Sequence, residues 1–67
     1  MRVFAERLKE LRLENNLTLK ELASLIGVSD IAISRWENRL RIPNIESLIA
    51  IAKFFKVSTD YLLGLED

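Results

Sequence analysis

Apolar side chains recur along this chain at helical spacing, and no stretch shows the alternation typical of a strand. The first stripe, Phe4, Leu8 and Leu11, predicts a helix from about Val3 to Asn15. Similar stripes predict four further helices. Their apolar faces are, for the second helix, Leu22, Ala23 and Ile26; for the third, Ile33 and Trp36; for the fourth, Ile45, Leu48, Ala52 and Phe55, widened by Ile49 and Ile51; and for the fifth, Tyr61 and Leu62. The pattern therefore predicts a compact all-α domain of five short helices around one core.

Capping residues predict a sharp corner between the second and third helices. Thr18, followed three residues later by Glu21, is the pattern of a capping box at the start of the second helix. Gly27 should end that helix, because glycine adopts the left-handed conformation without a steric penalty. Ser29 can then cap a third helix from about Asp30 to Asn38. Two caps around one glycine leave room only for a tight turn.

The ends of the last two helices are marked in the same way. Pro43 prevents the third helix from continuing, and Asn44 is expected to cap a fourth helix that ends near Lys56. Ser58 should cap the fifth helix, which Gly64 closes. These signals predict short connections throughout.

The amino-acid composition mainly indicates which classes of function are not expected. The 67 residues suit one domain, 1–67, and 10 Lys plus Arg balance 10 Asp plus Glu, so any affinity for nucleic acid must depend on where the charges lie. Without cysteine, histidine or clustered carboxylates, we expect no enzyme, no metal site and no cofactor. Because no signal peptide or long apolar run is present, we predict a soluble, complete, cytoplasmic protein.

Six short motifs follow one another in a specific order: Leu17-Thr18, Glu21-Leu22-Ala23, Gly27-Val28-Ser29, Ile33-Ser34, Trp36-Glu37-Asn38 and Pro43. In this order they resemble the Cro/Xre-type, lambda-repressor-like family of helix-turn-helix DNA-binding domains, and the resemblance spans residues 4–64. It implies a helix-turn-helix at helices 2 and 3, with its core at about residues 18–38. It also implies a homodimer on a roughly palindromic operator in double-stranded DNA, nucleoid association when bound, and transcriptional regulation, usually repression.

The resemblance assigns the third helix to base edges in the major groove. The residues that it places there are Asp30, Ile31, Ala32, Ser34 and Arg35. Their chemistry suits this role, because arginine can bind guanine O6 and N7, aspartate can accept from cytosine, and isoleucine can pack on a thymine methyl. Asp30 has a second interpretation, since a carboxylate in the first turn of any helix is stabilising.

The resemblance also implies contacts to phosphates and one structural ion pair. The phosphate contacts are expected at Thr18, Lys20, Ser29, Asn38, Arg39 and Arg41. The ion pair is expected between Arg12, late in the first helix, and Glu37 at the end of the third. Such a pair would fix the angle of the third helix, although desolvation can cancel its net stabilisation.

Three positions depart from the usual pattern of the family. Leu19 replaces a phosphate-binding glutamine, Arg39 replaces a glycine with positive φ, and Leu40 replaces a lysine. Arg39 must either adopt positive φ at a cost of roughly 1 kcal/mol or let the helix run one residue further. We expect Leu19, Ile31, Leu40 and Phe54 to be exposed, and the candidate dimer contact comprises Leu40, Phe54, Tyr61 and Leu63.

A second function class is compatible with the same fold. The zero net charge and the apolar departures at Leu19 and Leu40 also suit a protein-interaction module, such as an antitoxin or adaptor, with weak or no DNA binding. In either class we expect neither membrane insertion nor a small-molecule ligand.

Overall fold

The computed structural model of the protein describes residues 2–66, and within that range it contains helices and no strand. The helices are α1 (Arg2–Glu14), α2 (Leu19–Ile26), α3 (Asp30–Glu37), α4 (Ile45–Phe55) and α5 (Thr59–Leu63). The predicted all-α architecture is therefore confirmed. α1 begins and ends one residue before its predicted bounds, and α3 ends one residue early, with Asn38 as its C-cap.

Every helix contributes at least one fully buried side chain to a single core. These side chains are Phe4 and Leu8 from α1, Leu22 from α2, Ile33 from α3, Ile51 from α4 and Leu62 from α5. Trp36 is also buried in this core. Since each such burial contributes about 1.5–3 kcal/mol, the core fixes how α3 lies against the other helices.

The corner between α2 and α3 forms as predicted. The Thr18 hydroxyl accepts from the Glu21 N–H at 3.0 Å, and the Glu21 carboxylate accepts from the Thr18 N–H at 2.8 Å. Gly27 adopts φ 77° and closes α2. The Ser29 hydroxyl then accepts from the Ala32 N–H at 3.1 Å, so that α3 begins three residues after the glycine that ends α2.

The predicted caps of α4 and α5 are also confirmed. Asn44 Oδ1 accepts from the Ser47 N–H at 2.8 Å, and Ser58 Oγ accepts from the Tyr61 N–H at 2.9 Å. α4 ends at Phe55, and its C-cap residue, Lys56, has φ 57° although it is not a glycine.

Two isoleucines that were predicted to belong to the apolar face of α4 lie on the surface instead. Ile45 is 75% exposed, and Ile49, expected to widen the stripe, is exposed as well. The buried side of α4 is centred on Leu48, Ile51 and Phe55. Because each residue turns the helix by about 100°, Ile45 lies roughly 90° away from that centre. These two isoleucines therefore form part of the surface.

The departures from the family pattern have three different outcomes. Leu19, which we expected to be exposed, is half-buried and packs against the core, so that prediction is wrong. Ile31, Leu40 and Phe54 are exposed as predicted. Arg39 has φ 63°, which decides between the two alternatives: α3 stops, and the arginine takes the left-handed conformation.

Candidate nucleic-acid interface

α3 presents a polar and apolar face directly opposite its buried side. Ile33 and Trp36 point into the core, and at about 100° per residue the opposite side carries Ile31, Ser34 and Arg35. Ile31 is 59% exposed, Arg35 is exposed, and Ser34 is half-buried. Three of the five predicted base-contacting residues therefore share one accessible face of a helix whose other face is fixed by the core.

The other two predicted base-contacting residues are less accessible. The Asp30 carboxylate accepts from the Ile31 N–H at 2.9 Å and is half-buried. This bond stabilises the first turn of α3, in agreement with the second interpretation of Asp30. Ala32 is half-buried and packs against the core, because it lies at the edge of the buried face.

The N-terminus of α2 supplies backbone donors beside α3. The capping box uses the N–H groups of Thr18 and Glu21. The N–H groups of Leu19 and Lys20 belong to the first turn, where an α-helix offers no internal acceptor, so they suit an anion such as a phosphate. The hydrogen bonds from Thr18 lower the pKa of Glu21, first through the backbone N–H and then through the hydroxyl. The Glu21 carboxylate thus remains ionised to a lower pH than usual.

The loop after α3 folds back onto the end of that helix. The N–H groups of Leu40 and Arg41 both donate to the Arg35 carbonyl, at 2.9 and 3.3 Å. The Asn38 side chain donates to the Ser34 carbonyl at 2.8 Å. Arg39 and Arg41, both exposed, are therefore held beside the C-terminal end of α3, where the exposed Arg35 also lies.

The structure brings Arg12 and Glu37 together as a bidentate ion pair. Arg12 Nε and Nη2 donate to the two carboxylate oxygens of Glu37 at 2.7 and 2.9 Å, and the two side chains are only 11% and 7% exposed. Arg12 Nη1 also donates to the Leu17 carbonyl at 2.9 Å. The hydrogen bonding to Glu37 and, to a lesser degree, its negative charge raise the pKa of Arg12, while burial opposes this change. The pair links α1, the loop before α2 and the end of α3.

The residues predicted for the dimer contact differ in exposure. Leu40 and Phe54 are exposed, whereas Tyr61 and Leu63 are half-buried. Tyr61 is engaged within the chain, because the Arg7 guanidinium lies 4.2 Å from its ring centroid and donates to its carbonyl. The sequence gives no local signal for this contact, since the two residues are 54 positions apart.

Three exposed apolar side chains lie close together in the sequence, in the loop after α3 and at the start of α4. Leu40 is 72% exposed, and Ile42 and Ile45 are also exposed. The sequence analysis did not predict that Ile42 and Ile45 are exposed. For Ile42 a signal was present, because the proline that follows it favours an extended backbone.

Residues 2–66 lack two features that would point to other functions. No helix there has the length and apolar character needed to cross a membrane. In the same part of the chain, no three side chains of the His, Cys, Asp or Glu type are grouped so that they could hold a metal ion.

Comparison with known proteins gives consistent matches. A family model described as helix-turn-helix matches residues 8–62. The chain is 48% identical over 64 residues to the HTH-type transcriptional activator BcrR of Enterococcus faecalis, which covers 96% of this chain and 31% of that protein. It is 38% identical over 61 residues to repressor protein C2 of Salmonella phage P22, which covers 91% of this chain and 28% of that protein.

A solved structure extends this likeness to three dimensions. The crystal structure of the P22 c2 repressor in complex with a synthetic operator matches with a TM-score of 0.86 and 35% identity, over 92% of this chain and 94% of that one. The lambda-repressor-like fold expected from the sequence is thereby confirmed. The chain spans between 28% and 58% of the length of the curated relatives.

Proposed function

The chain belongs to the Cro/Xre-type helix-turn-helix family, and on that premise we propose that it is a sequence-specific DNA-binding transcriptional regulator. This is a family of DNA-binding regulators and not a class of enzymes. We propose that α3 enters the major groove of a roughly palindromic operator and that the usual outcome is repression. The observation that carries the proposal is the face of α3 opposite the core, where Arg35 and Ile31 are exposed beside the folded-back loop arginines.

Base recognition depends chiefly on Arg35. Its side chain is exposed near the end of a helix that the core and the Arg12–Glu37 pair hold in place. A guanidinium can donate two parallel hydrogen bonds to guanine O6 and N7. Ile31, one helical turn earlier, packs on a thymine methyl. Asp30 contributes less, because its carboxylate already accepts from the Ile31 N–H.

Affinity for the DNA backbone comes from local charge. Arg39 and Arg41 lie in the loop, and Lys20 lies in the first turn of α2 beside its N–H groups. Thr18, Ser29 and Asn38 supply polar groups at the adjacent helix ends. Each phosphate that is neutralised contributes about 0.9 to the slope of log affinity against log salt, so a few well-placed cations suffice despite a net charge of zero.

We further propose a homodimer on the operator and a cytoplasmic location. A palindromic site presents the same bases twice, and two copies of α3 contact both halves when their spacing matches the DNA repeat. The exposed apolar residues Leu40 and Phe54 support a contact between copies.

Selection of bound duplexes from a random pool, followed by binding of Arg35→Ala to the selected sequence, tests the function. We expect Arg35→Ala to lose about 1–3 kcal/mol of discrimination at one base pair of each half-site, because the bidentate contact to guanine is lost. Lys53→Ala is the matched control: it removes one exposed cation from α4 and should leave the base preference unchanged. The proposal is wrong if no sequence is enriched, or if both variants have the same base preference.

A further inference from the structure

A charged groove lies between α1 and the loop after α3, outside the face of α3 described above. Its volume is about 360 Å³, and it is lined by Arg2, Ala5, Glu6, Lys9, Glu37 and Arg39. Ala5, at the bottom of the groove, is buried and has a small side chain, which leaves the groove deep. None of the base-contacting residues lines it.

The charges in this groove do not cancel. Glu6 is paired with Arg2 at 3.2 Å, and both carboxylate oxygens of Glu37 are held by Arg12. Within residues 2–66, Lys9 and Arg39 take part in no ion pair, and both are exposed. The groove therefore has two available cations and two carboxylates that are already neutralised, which favours an anion.

The backbone of Arg39 is strained in a way that bears on this groove. Its φ of 63° is a conformation in which a Cβ costs roughly 1–2 kcal/mol, and a glycine would avoid that cost. Arg39 lines the groove, and the N–H groups of the next two residues, Leu40 and Arg41, donate to the Arg35 carbonyl. The groove is thus continuous with the surface that contacts DNA.

We propose that this groove binds a backbone phosphate of the DNA just outside the base pairs that α3 contacts, with Lys9 and Arg39 as the cationic ligands. The inference depends on the proposed function and extends its footprint to α1. DNA is the favoured occupant, because its phosphates form a continuous row and Arg39 lies only four residues after Arg35. The contact adds affinity without sequence preference.

The test compares Lys9→Ala and Arg39→Gly with wild type on the selected operator at several salt concentrations. Each variant should reduce the salt slope by up to about 0.9, the contribution of the one phosphate that the two cations share, equivalent to an affinity loss of up to about eightfold at 0.1 M relative to 1 M salt. Base preference should not change. Arg39→Gly should be at least as stable as wild type by thermal unfolding, since glycine takes positive φ freely, so its loss of affinity cannot come from unfolding.

Two controls separate this inference from the proposed function. Lys53→Ala removes a cation of α4 that does not line the groove, and it should leave the slope unchanged. A duplex that ends at the outermost selected base pair should bind wild type and Lys9→Ala equally, whereas a duplex extended by a few base pairs should distinguish them. If wild type selects DNA but Lys9→Ala behaves like Lys53→Ala, the groove inference fails whatever Arg39→Gly does, and base recognition by α3 stands. Absence of any DNA selection would overturn both.

Discussion

The Arg12–Glu37 pair shows how much depends on two residues in a small domain. Both side chains are nearly buried, and each carboxylate oxygen accepts one hydrogen bond from the guanidinium. Desolvation offsets much of the attraction in such a pair, but loss of one partner leaves a charge without compensation. A domain of this size has only roughly 3–5 kcal/mol of net stability. The loss of stability when one partner is removed is therefore larger than the net stabilisation that the intact pair provides.

We expect Glu37→Ala to lower the free energy of unfolding by about 3 kcal/mol, because Arg12 would remain buried without its counter-charge. Urea unfolding measures this change. The combined Arg12→Met, Glu37→Leu variant should recover much of the loss, since neither charge remains. Arg2→Ala serves as the control, because the Arg2–Glu6 pair is 78% and 57% exposed and should change stability by less than about 0.5 kcal/mol. Equal effects of Glu37→Ala and Arg2→Ala would contradict the buried-pair account.

At the scale of one helix, the start of α2 depends on reciprocal bonds between Thr18 and Glu21. The pKa of Glu21 is lower in the folded protein than its ordinary value of 4.5. A group with a depressed folded pKa contributes stability above its unfolded pKa, and that contribution is lost as the pH falls through the folded pKa. The capping box should therefore weaken progressively below about pH 4.5.

We expect Glu21→Gln to remove this part of the acid sensitivity. Glutamine can keep the bond to the Thr18 N–H but does not titrate in this range. Urea unfolding from pH 6 to pH 3 should therefore give a smaller loss of stability for the variant than for wild type. Glu14→Gln, an exposed carboxylate at the end of α1 that makes no capping bond among the described residues, is the control. Parallel pH profiles for wild type and Glu21→Gln would refute the expectation.

Helix starts and ends could be predicted from the sequence because their causes are local. Thr18, Gly27 and Ser29 act on backbone groups within three residues, so their neighbours in sequence decide the outcome. The exposure of Ile45 and the partial burial of Leu19 could not be predicted, because each depends on which helix lies opposite. Arg39 was undecided for another reason: the two backbone alternatives differ by only about 1 kcal/mol.

In the candidate interface, too, positions set by neighbours in sequence could be predicted, whereas positions set by distant residues could not. The outward position of Arg35 follows from its spacing to Trp36 and Ile33 within one helix. The groove that contains Lys9 and Arg39 joins residues 30 positions apart, and the pattern of α1 alone gives no reason to single out Lys9.

At the scale of the whole molecule, neutral total charge coexists with a cationic region at the end of α3. The 10 basic and 10 acidic residues cancel in number, but Arg35, Arg39 and Arg41 lie within seven consecutive residues. The same region carries two exposed apolar side chains, Leu40 and Ile42. A surface of this kind is suited to binding DNA and a second protein chain side by side.

We expect Leu40→Glu to weaken self-association on the operator, because it introduces a charge at the side chain proposed to pack against the second copy. Analytical ultracentrifugation with a palindromic duplex should show two chains per duplex for wild type and a lower occupancy for the variant. Leu25→Glu is the matched control, since Leu25 is an exposed leucine of α2. Monomeric wild-type protein at high concentration, with and without the duplex, would overturn the dimer. A different protein that copurifies and is lost in Leu40→Glu would instead indicate an interaction module.

The short α5 shows how the two ends of the chain depend on each other. A helix of five residues is unstable alone, and it persists here because Leu62 is fully buried and because Arg7 of α1 donates to the carbonyls of Tyr61 and Glu66. These contacts join residues 54 and 59 positions apart. We therefore expect the first and last of the described helices to become ordered in the same cooperative transition. A fragment that lacks residues 59–66 would leave the core open beside α1, so the packing that holds α3 in the orientation proposed for DNA binding depends on α5.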